Sequence, residues 1–248
     1  MAMDPLVEMR QIRKTFGPVV ALRGVDFVVH AAEVVGLVGD NGAGKSTLMK
    51  ILTGVHRPDG GGLWFDGRHV DFASPLDSRR AGIEMVYQDL ALAENLTSIA
   101  NIFLGREITR RVAGLRFLDE DQMARTAGDR ITSLQIRLPS LVQPVEQLSG
   151  GQRQSVAIAR ATAFQAKLVI MDEPAASLAV AEAAKVLALI RRLREHGVAV
   201  ILISHRLQDV LDVADRIVVL SRGANAGNLP RAEATMERIV SLIVGHAS

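Results

Sequence analysis

Residues 34–47 read Val34-Val35-Gly36-Leu37-Val38-Gly39-Asp40-Asn41-Gly42-Ala43-Gly44-Lys45-Ser46-Thr47. The apolar run has no polar alternation, which suits a strand buried on both faces of a parallel sheet. A glycine-rich turn follows at once, and Lys45–Leu52 has a helical pattern. Strand, turn and helix in that order fit the phosphate loop G-x-x-x-x-G-K-[ST]. Gly39, Gly42 and Gly44 permit backbone conformations that a Cβ forbids, so successive amides can face one anion. Asp40, Asn41 and Ala43 complete the loop. The helix start adds its positive end. Lys45 reaches the β- and γ-phosphates, the Ser46 hydroxyl ligates Mg²⁺, and Thr47 follows. A glycine turn without a ligand is the plainer alternative, and the flanking strand and helix argue against it.

Outward from this loop, the chain alternates between element types. Leu6–Arg13 and Val25–Val29 read as strands, and Gly60–Val70 as a hairpin turning at Asp66-Gly67. The N-terminal region is therefore expected to be antiparallel. Leu168–Met171, Val198–Ile203 and Ile217–Leu220 are further apolar strands. Ala179–His196 between the first two carries Val186, Leu187, Leu189, Ile190 and Leu193 on one helical stripe, with Gly197 as a stop. That is the strand–helix–strand unit of a parallel sheet. Asn95 to Ala163 reads as mostly helical, broken at Pro139 and Pro144, and is expected to be an inserted helical subdomain. Thr235–Val244 reads as an amphipathic helix with a core role, a dimer contact being the alternative.

Composition narrows the function classes. The 248 residues carry 48% hydrophobic and 23% charged residues, as a globular protein does. The net charge of +2 gives no reason to expect a nucleic-acid partner. The absence of Cys excludes thiolate chemistry. No run reaches the length of a membrane helix, and Met1–Pro5 lacks a secretory signal, so a cytoplasmic location is expected.

Four other places carry chemistry. Leu168–Met171 ends in Asp172-Glu173, and ligands in parallel sheets sit at the carboxyl ends of strands. Asp172 then suits a Mg²⁺ sphere and Glu173 suits polarising a water, although acids after strands also serve as helix caps. Ile201-Leu202-Ile203-Ser204 ends in His205, which is placed for a γ-phosphate or is a bland surface group. Gln88 in Val86-Tyr87-Gln88-Asp89 is a further polar residue at a strand end. Leu148-Ser149-Gly150-Gly151-Gln152 opens a helix to about Ala163 with free amides, a second anion-binding helix start in the same chain.

The order of these motifs resembles the ATP-binding cassette (ABC) ATPases over nearly the whole chain. The resemblance implies an α/β fold of the P-loop NTPase, ABC-ATPase type: a parallel-sheet core with an antiparallel β subdomain (residues 1–90 and 164–248) and an inserted helical signature subdomain (residues 91–163), all one domain. It further implies ATP and Mg²⁺ as ligands and a head-to-tail homodimer, or a paired cassette subunit. Ser149, Gly150, Gly151 and Gln152 of one copy would cap the γ-phosphate held by the other. Lys45, Glu173 and His205 would be catalytic, and Ser46, Gln88 and Asp172 would hold the metal. Phe16 would stack on adenine, an apolar core role being the alternative. One departure stands out. The loop after the acids, Pro174-Ala175-Ala176-Ser177-Leu178-Ala179, has Ala179 where the family usually places Asp, which leaves communication across the dimer in question.

The 59 residues between Gln88 and Leu148 are too few for the coiled coils of DNA-repair relatives. One cassette and no membrane helix leave a stand-alone ATPase subunit driving a separate membrane permease. The stretches Val34–Gly42, Tyr87–Leu92 and Asn101–Glu107 resemble the ATPases of monosaccharide importers of the ribose/xylose/fructose type. That resemblance adds a sugar-binding protein as an indirect partner and places the chain peripherally on the inner face of the membrane. An importer of another small solute, or a regulatory module using ATP as a clamp, are the alternatives. Leu90–Glu107 would line the groove for a permease helix, although most of its apolar residues are expected in the subdomain core.

Overall fold

The computed structural model describes residues 4–245. In chain order, β1 (Val7–Phe16) and β2 (Val19–Val29) form a long antiparallel pair. β3 (Val34–Val38) leads through the glycine loop to α1 (Lys45–Leu52). β4 (Gly60–Phe65) and β5 (Arg68–Val70) form the expected hairpin, and α2 (Pro75–Ala81) leads to β6 (Ile83–Val86). α3 (Ser98–Phe103), a hairpin of β7 (Thr109–Val112) and β8 (Leu115–Leu118), α4 (Glu120–Ser133) and α5 (Gly150–Thr162) follow. β9 (Leu168–Asp172), α6 (Val180–Glu195), β10 (Ala199–Ile203), α7 (Leu207–Val213), β11 (Arg216–Ser221), β12 (Ala224–Pro230) and α8 (Met236–Val244) complete the chain.

The main sheet has six strands in the order β12-β11-β3-β10-β9-β6, and all its ladders are parallel except β11–β12. β3 and β10 are buried at every position, as uninterrupted apolar runs require. Their side chains still alternate between two cores. Val34, Val200 and Leu202 face the layer of α5, α6 and α7, whereas Val35, Leu37 and Ile201 face α1 and the antiparallel sheet β2-β1-β4-β5. The helical stripe of α6 is buried at all five predicted positions.

A third core binds the inserted segment together. Ile102, Phe103, Met123, Ala127, Val145, Leu148 and Val156 are buried there. The Asn101 side chain ties the entering loop, accepting from the Ala93 N–H at 2.8 Å and donating to the Ala93 and Thr97 carbonyls at 2.9 and 3.0 Å. Of the apolar residues between 90 and 107, Leu92, Ile99, Ile102 and Phe103 pack in this core, and Leu104 is exposed.

Two elements depart from the sequence reading. The β7–β8 hairpin interrupts a segment read as mostly helical. Its turn residues Ala113 and Gly114 both have positive φ, 49° and 83°, the geometry of a tight two-residue hairpin. Its strands are exposed throughout, so they lack the half-buried alternation that marks a strand in sequence. β12 (Ala-Asn-Ala-Gly-Asn-Leu-Pro) has no strand pattern either. It forms because β11 offers an open ladder, which β12 closes as the sheet edge. α8 lies on β11 and β12 with Ile239 buried, the core role.

Candidate functional site

Four loops meet above the carboxyl ends of the parallel strands. The glycine loop follows β3, Asp172-Glu173 closes β9, His205 follows β10 and Gln88 follows β6. They enclose a cavity of about 520 Å³ lined by Asn41 to Thr47, Gln88, Asp172, Glu173 and His205, with Phe16 and Val19 at its side. This is the position that an open parallel sheet reserves for a ligand. Gly39 has φ 149°, and a Cβ there would come within 2.2 Å of the Leu220 carbonyl, so the loop can lie this close to β11 only with glycine. Asp40 sits just outside, in a neighbouring cleft with Ser221 and Arg222.

Lys45 is 7% exposed. Its Nζ donates to the Gly39 and Asp40 carbonyls at 2.5 and 2.9 Å, which holds the ammonium across the loop mouth. Burial lowers its pKa, while Glu173, Asp172 and Asp40 act to raise it. Burial likewise raises the Asp172 carboxyl, against the opposing pull of Lys45 and His205. Glu173 is raised by burial too, and here His205 is the main opposing group.

Glu173 has φ 51°, a left-handed conformation unusual for a side chain of this kind and worth about 1–3 kcal/mol. Its N–H donates to the Ile203 carbonyl at 2.9 Å, and its Oε1 accepts the His205 N–H at 2.8 Å. The turn sets the Glu173 carboxylate beside His205. Ser46, Gln88 and Asp172 all line this cavity with hydroxyl, amide and carboxylate oxygens, a hard donor set that suits Mg²⁺. Phe16 is 41% exposed and packs edge-on to His56, with ring centroids 5.2 Å apart, so it is not a core residue.

The second anion-binding start lies elsewhere. Ser149 caps α5 in a reciprocal box: its Oγ accepts the Gln152 N–H at 3.3 Å, and the Gln152 side-chain oxygen accepts the Ser149 N–H at 2.9 Å. Ser149, Gly151 and Gln152 line a separate cavity of about 450 Å³ between α5 and α6. The strand-end residues and the start of α5 therefore line separate cavities of the chain.

A family model described as "ABC transporter" matches residues 22–176. The chain belongs to the ABC transporter family. It is an ATP-binding cassette of that family, and the cassettes are ATPases. It is 48% identical to the xylose/arabinose import ATP-binding protein XylG of Sulfolobus acidocaldarius, over 99% of this chain and 96% of that protein. It is 42% identical to the fructose import ATP-binding protein FrcA of Rhizobium meliloti, again over 99% of this chain and 96% of the relative. It is 43% identical to the ribose import ATP-binding protein RbsA 1 of Burkholderia cenocepacia, of which it spans 47%. Among solved structures, the ADP conformation of MJ1267, an ATP-binding cassette of an ABC transporter, superposes with a TM-score of 0.84 at 26% identity, covering 98% of this chain and all of that one.

Three contacts around the site left no mark in the sequence. Arg160, in the last turn of α5, donates to the Ala91 and Leu90 carbonyls at 2.7 and 2.8 Å, just after Gln88. Glu84 on β6, almost fully buried, pairs with Arg106 at 2.5 Å and Arg79 at 3.4 Å, tying α3's end to the core. Ser149 Oγ donates to Glu182 Oε1 at 3.0 Å. Apart from Arg79–Glu84, each joins segments far apart in the chain, and no local pattern announces such a pair.

Proposed function

We propose that this cassette hydrolyses ATP to energise a membrane permease that imports a simple sugar, and that two copies share each nucleotide head to tail. The separation of the two half-sites supports this most directly. The strand-end cavity holds Lys45, Glu173 and His205, and the capped amide terminus of α5 opens on another face of the same chain. Only a second copy, or a paired cassette, can set that terminus opposite a bound γ-phosphate. The names of the xylose/arabinose, fructose and ribose relatives support the substrate class.

In this mechanism the glycine loop and the α1 start bind the phosphates through backbone N–H groups. Lys45 turns from the loop carbonyls to the β- and γ-phosphates. Phe16 offers its exposed face to adenine. Ser46, Gln88 and Asp172 would hold Mg²⁺, which would neutralise phosphate charge there. Glu173 takes a hydrogen bond from the attacking water and orients it in line, and His205 stabilises the transferring phosphoryl group. Ser149, Gly150 and Gly151 of the second copy complete the site and exclude water. Gln88 reports γ-phosphate occupancy to the helical subdomain.

The permease has a groove to enter. A cleft of about 290 Å³ between core and subdomain is lined by Tyr87 and Leu104, both nearly half exposed, and floored by Glu84 and Arg160. Attachment there places the cassette on the inner membrane face, with a sugar-binding protein acting on the far side. Among the described residues no helix is long and apolar enough to cross a membrane.

Phosphate release measured over a dilution series tests the shared site, since specific activity then rises with protein concentration until the dimer saturates. Activity that stays constant down to dilute single subunits contradicts it. Sugar uptake into vesicles holding permease, binding protein and cassette tests the substrate class; hydrolysis indifferent to every pentose and hexose offered speaks against a sugar.

A further inference from the structure

The amide terminus of α5 is an anion site by geometry, and in this chain an anion already sits there. Glu182, in the first turn of α6, accepts the Ser149 hydroxyl proton at Oε1, 3.0 Å away. Its side chain also lies flat against Gly151: a Cβ added to that glycine would meet Glu182 Cβ and Cδ at 3.1 Å and Oε1 at 3.2 Å. The carboxylate thus occupies the positive end of the helix and the hydroxyl that caps it, the two features that favour a negative group at that spot.

A glutamate at the third position of a helix normally reaches back to the cap residue when a hydroxyl or carboxylate stands there. α6 begins after Ala179, which offers no side-chain cap. Ala179 keeps the backbone N–H that such a glutamate can accept from, yet Glu182 turns across to Ser149 of α5 instead.

We propose that Glu182 is a positioning residue of the signature half-site, standing in for the γ-phosphate in the open chain and resisting its arrival. This rests on the head-to-tail reading above. Ser149 cannot donate its single proton to Glu182 and to a phosphate at once. Closure must therefore transfer that proton's hydrogen bond from carboxylate to phosphate, against the repulsion of two like charges. Lys185, one turn along α6 and lining the same cavity, is placed to receive the released carboxylate. The sequence keeps the open state favoured until ATP is present at sufficient concentration, which limits hydrolysis by unengaged subunits.

The test uses full-length chain in a Glu173→Gln background, so that ATP is held without turnover, and follows dimer formation by analytical ultracentrifugation across an ATP titration. Glu173→Gln alone should dimerise with ATP; if it stays monomeric at saturating ATP, the head-to-tail reading fails and Glu182 is not at issue. If it dimerises, adding Glu182→Gln or Glu182→Ala should lower the half-maximal ATP concentration about two- to fivefold, the scale of a half-exposed charge contact. The gain should shrink in high salt, because it is a charge effect. An unchanged or raised midpoint in the Gln variant, which keeps the shape and an acceptor for Ser149, overturns the proposal. ATP binding by the dilute monomer, which uses the other half-site, should be the same in every variant and shows that each is folded.

Discussion

Glu173 and His205 are joined twice: Oε1 of Glu173 accepts the His205 backbone N–H at 2.8 Å and stands 3.4 Å from the imidazole Nε2. The backbone bond fixes where the carboxylate points, and it survives any change of protonation in the ring. The imidazole is more exposed than the carboxylate and stays free to swing toward a phosphate. One contact fixes the carboxylate while the imidazole stays more exposed beside it.

Replacing Glu173 with Gln therefore keeps the shape and the acceptor for His205. We expect ATP affinity near that of the parent and turnover at least about a hundredfold slower, the usual scale for loss of a positioned base. Single-turnover phosphate release beside equilibrium nucleotide binding checks it. Near-normal turnover would remove Glu173 from this role.

Both carboxyls, Asp172 and Glu173, are raised by burial above the ordinary values of 3.8 and 4.5. Two effects of pH follow. The acid limb of kcat/KM should lie above that of an ordinary glutamate, because the role proposed for Glu173 needs an ionised carboxylate. Stability has the opposite sense. A carboxyl whose folded pKa is raised binds its proton more tightly when folded, so stability falls as pH climbs from the unfolded to the folded pKa. At neutral pH the ionised pair is a net cost. Asp172→Asn should raise Tm there by roughly 2–4 °C for each kcal/mol recovered, with no gain below the ordinary carboxylate range. Calorimetry at two pH values reads this directly, and equal shifts at both would contradict a charge origin.

Arg160 links α5 to the loop after β6, donating to the Leu90 and Ala91 carbonyls. Removing it strands two carbonyls and frees the loop after Gln88. Arg160→Ala should cost about 2 kcal/mol or more, read by denaturant unfolding, since bonds to a charged donor are worth about 1.5–3 kcal/mol. Nucleotide binding by the isolated chain should change little, as no phosphate contact is lost. A neutral effect on stability would show that solvent replaces the guanidinium without loss.

Ala179 leaves α6 without a side-chain cap. Ala179→Asp should stabilise the chain by about 1 kcal/mol, the typical worth of that substitution. Thermal unfolding measures it. No gain would indicate that solvent already satisfies the first turn.

Much of this was legible in the residues and some was not. The glycine loop, the two acids and His205 each follow an apolar run, so their shared position above the sheet came from one rule about parallel strands. α1 and the stripe of α6 came from periodicity. The β7–β8 hairpin and β12 escaped because an exposed ribbon and an edge strand carry no buried face to pattern them. Glu182 escaped for another reason. A glutamate at a helix start reads as a capping residue, and its turn toward Ser149 depends on how two helices separated by the whole of β9 are packed.

The placement of the strands within the sheet also divides labour between two loops. β3 is held by β10 on one side and β11 on the other, so the glycine loop hangs from a doubly tethered strand. Among the described residues β6 is the rim: four residues long, laddered to β9 on one side, with Gln88 beyond its end. A rim strand yields at lower free energy than a central one. The glycine loop thus hangs from a strand paired on both sides, and Gln88 follows a strand paired on one. Amides of residues 83–86 should exchange with solvent sooner than those of 34–38, and a bound nucleotide would slow the first set more than the second.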